Sequence, residues 1–248
     1  MWITPDWPAP AHVLAFSTGR YGGVSKTPYR GLNLGLHVGD EAALVQANRA
    51  EVLHRLPPQS RIHWLNQIHG TAVHPAMAGA TDATVDADAS WSCEPLQFCA
   101  VMTADCLPLL LCDRNGTQVA AVHAGWRGLA AGVIENTVAT FRAPAQTLLV
   151  WLGPAIGPSC FEVGAEVRQA FMAQNPAAAA AFVRRGERYL ADIYALARLR
   201  LQQCGVPVTA IYGGRYCTVS DPARFFSYRR QSQTGRQASV IGLLPVMR

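Results

Sequence analysis

The sequence predicts an α/β fold, a single domain over residues 1–248 built on a mixed central sheet. Three observations lead there. Half of the 248 residues are hydrophobic and only 15% are charged, the composition of a compact globular chain. Three apolar runs follow in quick succession at residues 96–102, 107–111 and 119–122. The middle run is continuous rather than alternating, as in a strand covered on both faces. Stretches of helical length are interleaved with such runs along the whole chain, and a chain this long can bury a large core.

Taken in order, residues 13–17 read as the first strand. Residues 19–40 form a loop rich in Gly, Tyr and Asn, too long to be an idle connector. Asp40 is placed to cap a helix over 41–56, with Leu44, Val45, Val52, Leu53 and Leu56 on its buried side and Pro57-Pro58 stopping it. Two short strands flank a histidine motif, at 62–65 and 71–74, and 78–89 is a loop of small residues carrying aspartates. After the three apolar runs comes a helix over 129–141, then a strand over 148–152. Helices follow over 162–172 and 189–204, the latter ended by Gly205 and Pro207. The alanine run 177–181 extends or joins helices, and late strands lie at 208–212 and 238–244.

Charge and cysteine usage exclude several classes. The formal net charge is +5 and almost wholly arginine, since Lys26 is the single lysine. Basic residues are not interleaved with aromatics in a run, which argues against nucleic-acid binding. The N-terminal segment lacks a charged stretch followed by an apolar one, and the apolar run 107–112 is far too short to span a bilayer. Seven cysteines without a CxxC pair read as reduced thiols. Together these predict a cytoplasmic protein with no membrane partner. No glycine-lysine P-loop, GxGxxG, HExxH, GxSxG or zinc deaminase signature is present.

What remains is a set of three residues. His69 lies in Asn66-Gln-Ile-His-Gly70, Cys106 in Thr103-Ala-Asp-Cys-Leu-Pro108 and His123 in His123-Ala-Gly-Trp-Arg-Gly128. Each stretch ends or interrupts a strand, where α/β folds place their chemistry. Singly, each residue reads as a packed or hydrogen-bonded core residue. Together, two imidazoles and a thiolate suffice to hold Zn²⁺ with one position open. Alternatively, Cys106 is a nucleophile with His123 as its base and Asp105 or Asn66 as orienting group. The second histidine favours the metal. No two of the seven histidines stand as His-x-His, so the residues do not suit a multicopper array, and copper is the less favoured metal.

Groups suited to a charged planar substrate surround this set. Arg49 lies on the first helix, and Arg127 follows the His123 motif at a helix start whose N–H groups favour an anion. The late segment Cys217-Thr218, Phe225-Phe-Ser-Tyr-Arg-Arg230 and Gly235-Arg236 brings Phe226, Tyr228 and Arg229, with aromatic faces for stacking and guanidinium groups for phosphate. A packed strand with solvated arginines is the alternative for that segment.

Motifs spread over nearly the whole chain carry a resemblance: Gly22-Gly-Val-Ser, Gly31-Leu-Asn-Leu-Gly-Leu-His-Val-Gly-Asp40, Asn48-Arg49, the three metal-ligand motifs, Gly153-Pro-Ala-Ile-Gly157, Phe161-Glu-Val-Gly164 and Phe225-Phe-Ser-Tyr-Arg-Arg230. In this order they resemble the YfiH-type family, also labelled polyphenol oxidase or laccase-domain proteins. One segment departs from the family's Asp-Ala-x-Val-Thr pattern, reading Asp88-Ala-Ser-Trp-Ser92 here. The resemblance implies a mixed β-sandwich flanked by helices, with zinc held at His69, Cys106 and His123. It implies phosphorolysis of adenosine, inosine, guanosine or methylthioadenosine to base and pentose 1-phosphate, with hydrolytic deamination of adenosine. The expected partners are a small nucleoside and phosphate, and the chain is expected to be a monomer or weak homodimer. Asp105 is the expected proton donor. The rival readings are a metal-independent cysteine hydrolase editing peptidoglycan precursors and a copper-dependent polyphenol oxidase.

Overall fold

The computed structural model describes residues 2–80 and 84–246; residues 81–83, inside the expected loop 78–89, lie outside the described residues. In chain order the elements are β1 (Val13–Ser17), α1 (Ala42–His54), β2 (Arg61–His63), β3 (Leu65–Asn66), β4 (Val73–Pro75), β5 (Val85–Asp86), β6 (Ala89–Ser92), β7 (Gln97–Thr103), β8 (Leu107–Asp113) and β9 (Val119–Ala124). They continue with α2 (Trp126–Ala131), α3 (Val133–Val138), β10 (Leu148–Leu152), β11 (Glu162–Val163), α4 (Ala165–Gln174), β12 (Phe182–Arg185), β13 (Arg188–Ala191), α5 (Ile193–Gln203), β14 (Ile211–Gly213) and β15 (Gln237–Leu243).

Two sheets form the body, a mixed α/β arrangement as expected. One has the order β1-β15-β7-β2, the other β14-β10-β8-β9-β6-β4. They pack face to face through β7 and β15 against β8 and β9. The period of two along β7 explains how one strand serves two cores. Cys99 and Val101 point into the space between the sheets, while Phe98, Ala100 and Met102 join Leu32, Leu34, Val52 and Leu56 on the outer side. β8 is buried along its whole length; it lies inside its sheet between β10 and β9 and packs against β7 and β15 of the other sheet. That is the burial the unbroken run Leu107-Pro-Leu-Leu-Leu-Cys112 requires. Among the described residues no helix is long and apolar enough to cross a membrane, and all seven cysteines are free thiols.

Several expected elements differ. The helix expected over 129–141 is two short helices, α2 and α3, divided at Gly132, whose φ of +106° no side chain tolerates comfortably. The helix expected from 162 begins only at Ala165, after the short strand β11. The expected helix 189–204 gives its first residues to β13, which pairs with β12 around a two-residue Gly186-Glu187 turn. The alanine run is a 3-10 turn, Pro176–Ala181, leading into β12. Of the late strand expected over 208–212, the first three residues form a 3-10 turn before β14.

Around α1 the correction is chemical. Glu41 is its N-cap residue and makes no side-chain cap. Asp40 instead accepts from the Ser25 hydroxyl (2.6 Å) and the Asn33 amide (2.8 Å). Leu53 is exposed, and Asn48 takes a buried place on the helix beside Val45 and Val52. Asn48 donates to Ser25 Oγ and to the Asn33 carbonyl, both at 2.9 Å, and accepts from the Val24 N–H at 2.8 Å. These bonds hold the long 19–40 segment in one shape, including its 3-10 turn Leu36–Val38 with His37.

Candidate metal centre

His69, Cys106 and His123 meet. Their ligand atoms all lie within 4.8 Å of one another, and among the described residues this is the single group of three or more such side chains. His69 comes from the loop between β3 and β4, Cys106 from the β7–β8 crossover that joins the two sheets, and His123 from β9. The Cys106 sulfur is 3.8 Å from His69 Nε2, and the two imidazoles stand nearly perpendicular, 4.8 Å between centroids. Gly125 makes this proximity possible. A Cβ there would lie 2.8 Å from His69 Cδ2 and 3.2 Å from the Cys106 sulfur.

The orienting group is Asp88, not Asp105 or Asn66. Its carboxylate is fully buried and accepts from His123 Nδ1 at 2.7 Å. It also accepts the backbone N–H groups of His69 (3.0 Å) and Gly70 (2.6 Å). The antiparallel pairing of β6 with β9 sets Asp88 beside His123. One carboxylate therefore fixes the His123 ring, leaving Nε2 for a ligand, and shapes the strained turn in which His69 has φ +61°.

Electrostatics match this donor set. Burial pushes the Cys106 thiol up, but the His123 charge beside it and hydrogen bonds from His123 and His69 outweigh that, bringing it down to about 6. Burial likewise disfavours a charged His123, and the Cys106 thiolate and Asp88 reverse the effect, raising it to about 9. A thiolate with two imidazoles is a good shell for zinc. The residues fit that ion, whereas one three-residue cluster does not fit a multicopper array.

The centre opens into a cavity of about 450 Å³. A larger depression of about 590 Å³, around Arg20 and Arg30, has no His, Cys, Asp or Glu in its lining, so the chemistry belongs to the smaller one. Arg127, Tyr228 and Arg229 line the metal cavity as expected. Arg49 and Phe226 do not. The Arg49 guanidinium bonds the Leu34 carbonyl (2.9 Å), lies over Trp64 and reaches the Met102 sulfur (3.5 Å). Phe226 is completely buried, with Arg20 over its ring. Asp105 is on the wall, but its carboxylate accepts from the Thr218 hydroxyl (2.5 Å), the Ser227 hydroxyl (3.1 Å) and the Arg229 N–H (2.6 Å). It fastens the crossover to the 218–229 segment.

Arg236, from the expected aromatic and arginine segment, also lines the cavity. Two wall residues had not been singled out, His37 and Gln67, although both stand inside the quoted motifs. His37 is exposed at the wall, and partial desolvation with the nearby charges of Arg236, Arg49 and the metal-centre histidines lowers its pKa and favours the neutral ring. The Gln67 amide both donates to the Met102 carbonyl and accepts from its N–H, at 2.8 and 2.7 Å, pinning the His69 loop to β7. Asp88 had no local signal beyond its place before a strand, since its partner is 35 residues away.

Comparison with known proteins identifies the family. Residues 14–244 match the family model described as multi-copper polyphenol oxidoreductase laccase. A Pseudomonas aeruginosa protein named purine nucleoside phosphorylase is 56% identical, the match covering 98% of each chain. The Escherichia coli purine nucleoside phosphorylase YfiH is 53% identical, again over 98% of each. Among solved structures, a Neisseria meningitidis protein superposes with a TM-score of 0.93 at 50% identity, covering 98% of this chain and 99% of its own. YlmD from Geobacillus stearothermophilus gives 0.92 at 32% identity, covering 98% and 96%. With the family pattern spanning both sheets and the same fold in its solved members, this chain belongs to the YfiH-type family, the laccase-domain polyphenol oxidoreductases.

Proposed function

We propose that this protein is a zinc-dependent purine nucleoside phosphorylase that also deaminates adenosine hydrolytically. The observation that carries the reading is the convergence of His69, Cys106 and His123, oriented by Asp88, at the floor of a cavity with cationic walls. The names of the close relatives support the same reaction class. Adenosine, inosine, guanosine and methylthioadenosine are the substrates proposed.

In phosphorolysis a phosphate oxygen bonds to C1′ of the sugar while the bond from C1′ to the purine nitrogen breaks, and the electron pair leaves with the base. Arg127, Arg229 and Arg236 supply the positive charge that holds phosphate against a carbon with oxocarbenium character. The Arg229 guanidinium is itself held by the Glu162 carbonyl at 3.0 Å, which fixes its direction. Trp126, Phe161 and Tyr228 offer apolar faces to the base. His37, kept neutral, is free to exchange hydrogen bonds with sugar or base without adding charge. Bound zinc supplies Lewis-acid polarisation of an oxygen in the cavity.

The test is release of hypoxanthine from inosine by zinc-loaded protein. Release should require phosphate, and Cys106→Ala should lose both zinc and turnover. Undiminished phosphorolysis by metal-free Cys106→Ala protein overturns the reading. Phenol-dependent oxygen uptake with bound copper, in place of phosphorolysis, would move the assignment to the oxidase that the family description names.

A further inference from the structure

A second group of nucleophilic side chains lies outside the metal centre, where two turns meet. One turn, at residues 158–160, follows β10; the other, at 218–220, follows β14. Cys217 and Ala155 pair across the junction in an isolated bridge. The Cys217 sulfur accepts the Gly157 N–H at 3.2 Å and the Ser220 hydroxyl at 3.2 Å. Backbone N–H groups of Ser220 and Val219 bear on the same sulfur. The Cys160 sulfur lies 3.4 Å from that same Ser220 oxygen. One hydroxyl thus stands within reach of two thiols, both half-buried rather than sealed in the core.

Converging N–H and O–H donors favour a thiolate over a thiol. Burial works against the Cys217 thiolate, yet these donors outweigh it and hold the thiol below its usual range. The other cysteines away from the metal centre contrast with this. Burial pushes Cys99 and Cys112 up to about 12 and Cys204 to about 11. Cys217 is the activated thiol and Cys160 its neighbour.

We propose that Cys217 and Cys160 form a hydroperoxide-sensitive dithiol site beside the cavity wall. The Cys217 thiolate attacks one oxygen of hydrogen peroxide. An S–O bond forms, the O–O bond breaks and hydroxide leaves, so the sulfur is oxidised to a sulfenic acid and the peroxide is reduced. Cys160 then attacks that sulfur, the S–S bond forms, and the departing hydroxide takes the Cys160 proton as water. The Ser220 hydroxyl swings out from between the sulfurs, which close to about 2.05 Å.

Both turns carry parts of the metal cavity. Ile156 and Phe161 line it on either side of the first turn. Thr218, next to Cys217, holds Asp105 at 2.5 Å, and the Cys160 carbonyl accepts from Arg229 at 3.4 Å. Closing the disulfide therefore shifts Phe161, Arg229 and the anchor of the Cys106 crossover. Oxidation lowers turnover, and a thiol reductant restores it.

The experiment treats the protein, preincubated with zinc, with hydrogen peroxide and maps thiols by mass spectrometry without reduction. The expected product is a Cys160–Cys217 linked peptide lighter by two hydrogens, absent from Cys217→Ser. In Cys160→Ser protein the sulfenic acid should persist on Cys217 and be trapped by dimedone. In the unsubstituted protein at neutral pH, iodoacetamide should label Cys217 at least tenfold faster than Cys93 or Cys204. Oxidation of Cys217 without linkage to Cys160, or equal labelling rates at these three thiols, overturns the proposal.

Discussion

At the scale of single residues, Asp88 has the widest reach. It is one buried carboxylate on which a ligand ring and two amides of a ligand loop converge. Asp88→Asn keeps the shape but cannot satisfy those donors equally, so zinc affinity should fall by about 10–100-fold in a competition titration with a coloured chelator. Unchanged affinity would remove Asp88 from the centre. Gly125→Ala tests the crowding directly. Its Cβ must displace His69 or Cys106, and zinc binding should weaken at least tenfold, about 1.4 kcal/mol, while circular dichroism stays the same. A third check is pH. In metal-free protein the Cys106 thiolate should react with iodoacetamide fully at neutral pH and lose reactivity as pH falls through about 6. A midpoint near the ordinary thiol value would contradict the ion pair with His123. Because zinc replaces the His123 proton, its affinity should rise with pH up to about 9.

At the scale of elements, Gly132 separates α2 from α3 and so fixes where the helical layer turns. A Cβ there makes only ordinary van der Waals contact, 3.6 Å from Glu135 Oε2 and 3.8 Å from Arg200 Nη2, but the left-handed backbone remains. Gly132→Ala should cost about 1–2 kcal/mol and lower Tm without altering zinc affinity. This break also shows where sequence reading succeeds and fails. The strands β1 and β10 were legible to the residue, and β8 from its first residue, because continuous or alternating apolar runs report burial directly. The division at Gly132 and the strand at β13 were not, since the same apolar pattern fits one long helix and only long-range packing breaks it. In the same way His69, Cys106 and His123 were legible as ligand types set at strand ends. Asp88 and the displaced Arg49 were not, because sheet register and a tryptophan 15 residues away decide them.

At the scale of the whole molecule, the metal centre sits at the corner where the chain passes from one sheet to the other. Donors from β9, from the β7–β8 crossover and from the β3–β4 loop would make zinc, where bound, a clamp between sheets. Zinc at a hundred times its Kd should stabilise the fold by about 2.7 kcal/mol, raising Tm by several degrees in calorimetry. Zinc that binds without moving Tm would show that the unfolded chain holds the ion as tightly as the folded one, and that the ion is no clamp. Leu110→Ala, in the middle of β8, should instead cost about 2–5 kcal/mol through its cavity and leave zinc affinity intact.

The last strand lies inside the four-stranded sheet, hydrogen-bonded to β1 on one side and to β7 on the other. During synthesis, the strand that leads into the Cys106 crossover therefore waits for its neighbour until Gln237–Leu243 has been made. Fragments ending before Gln237 should emerge without a working metal pocket.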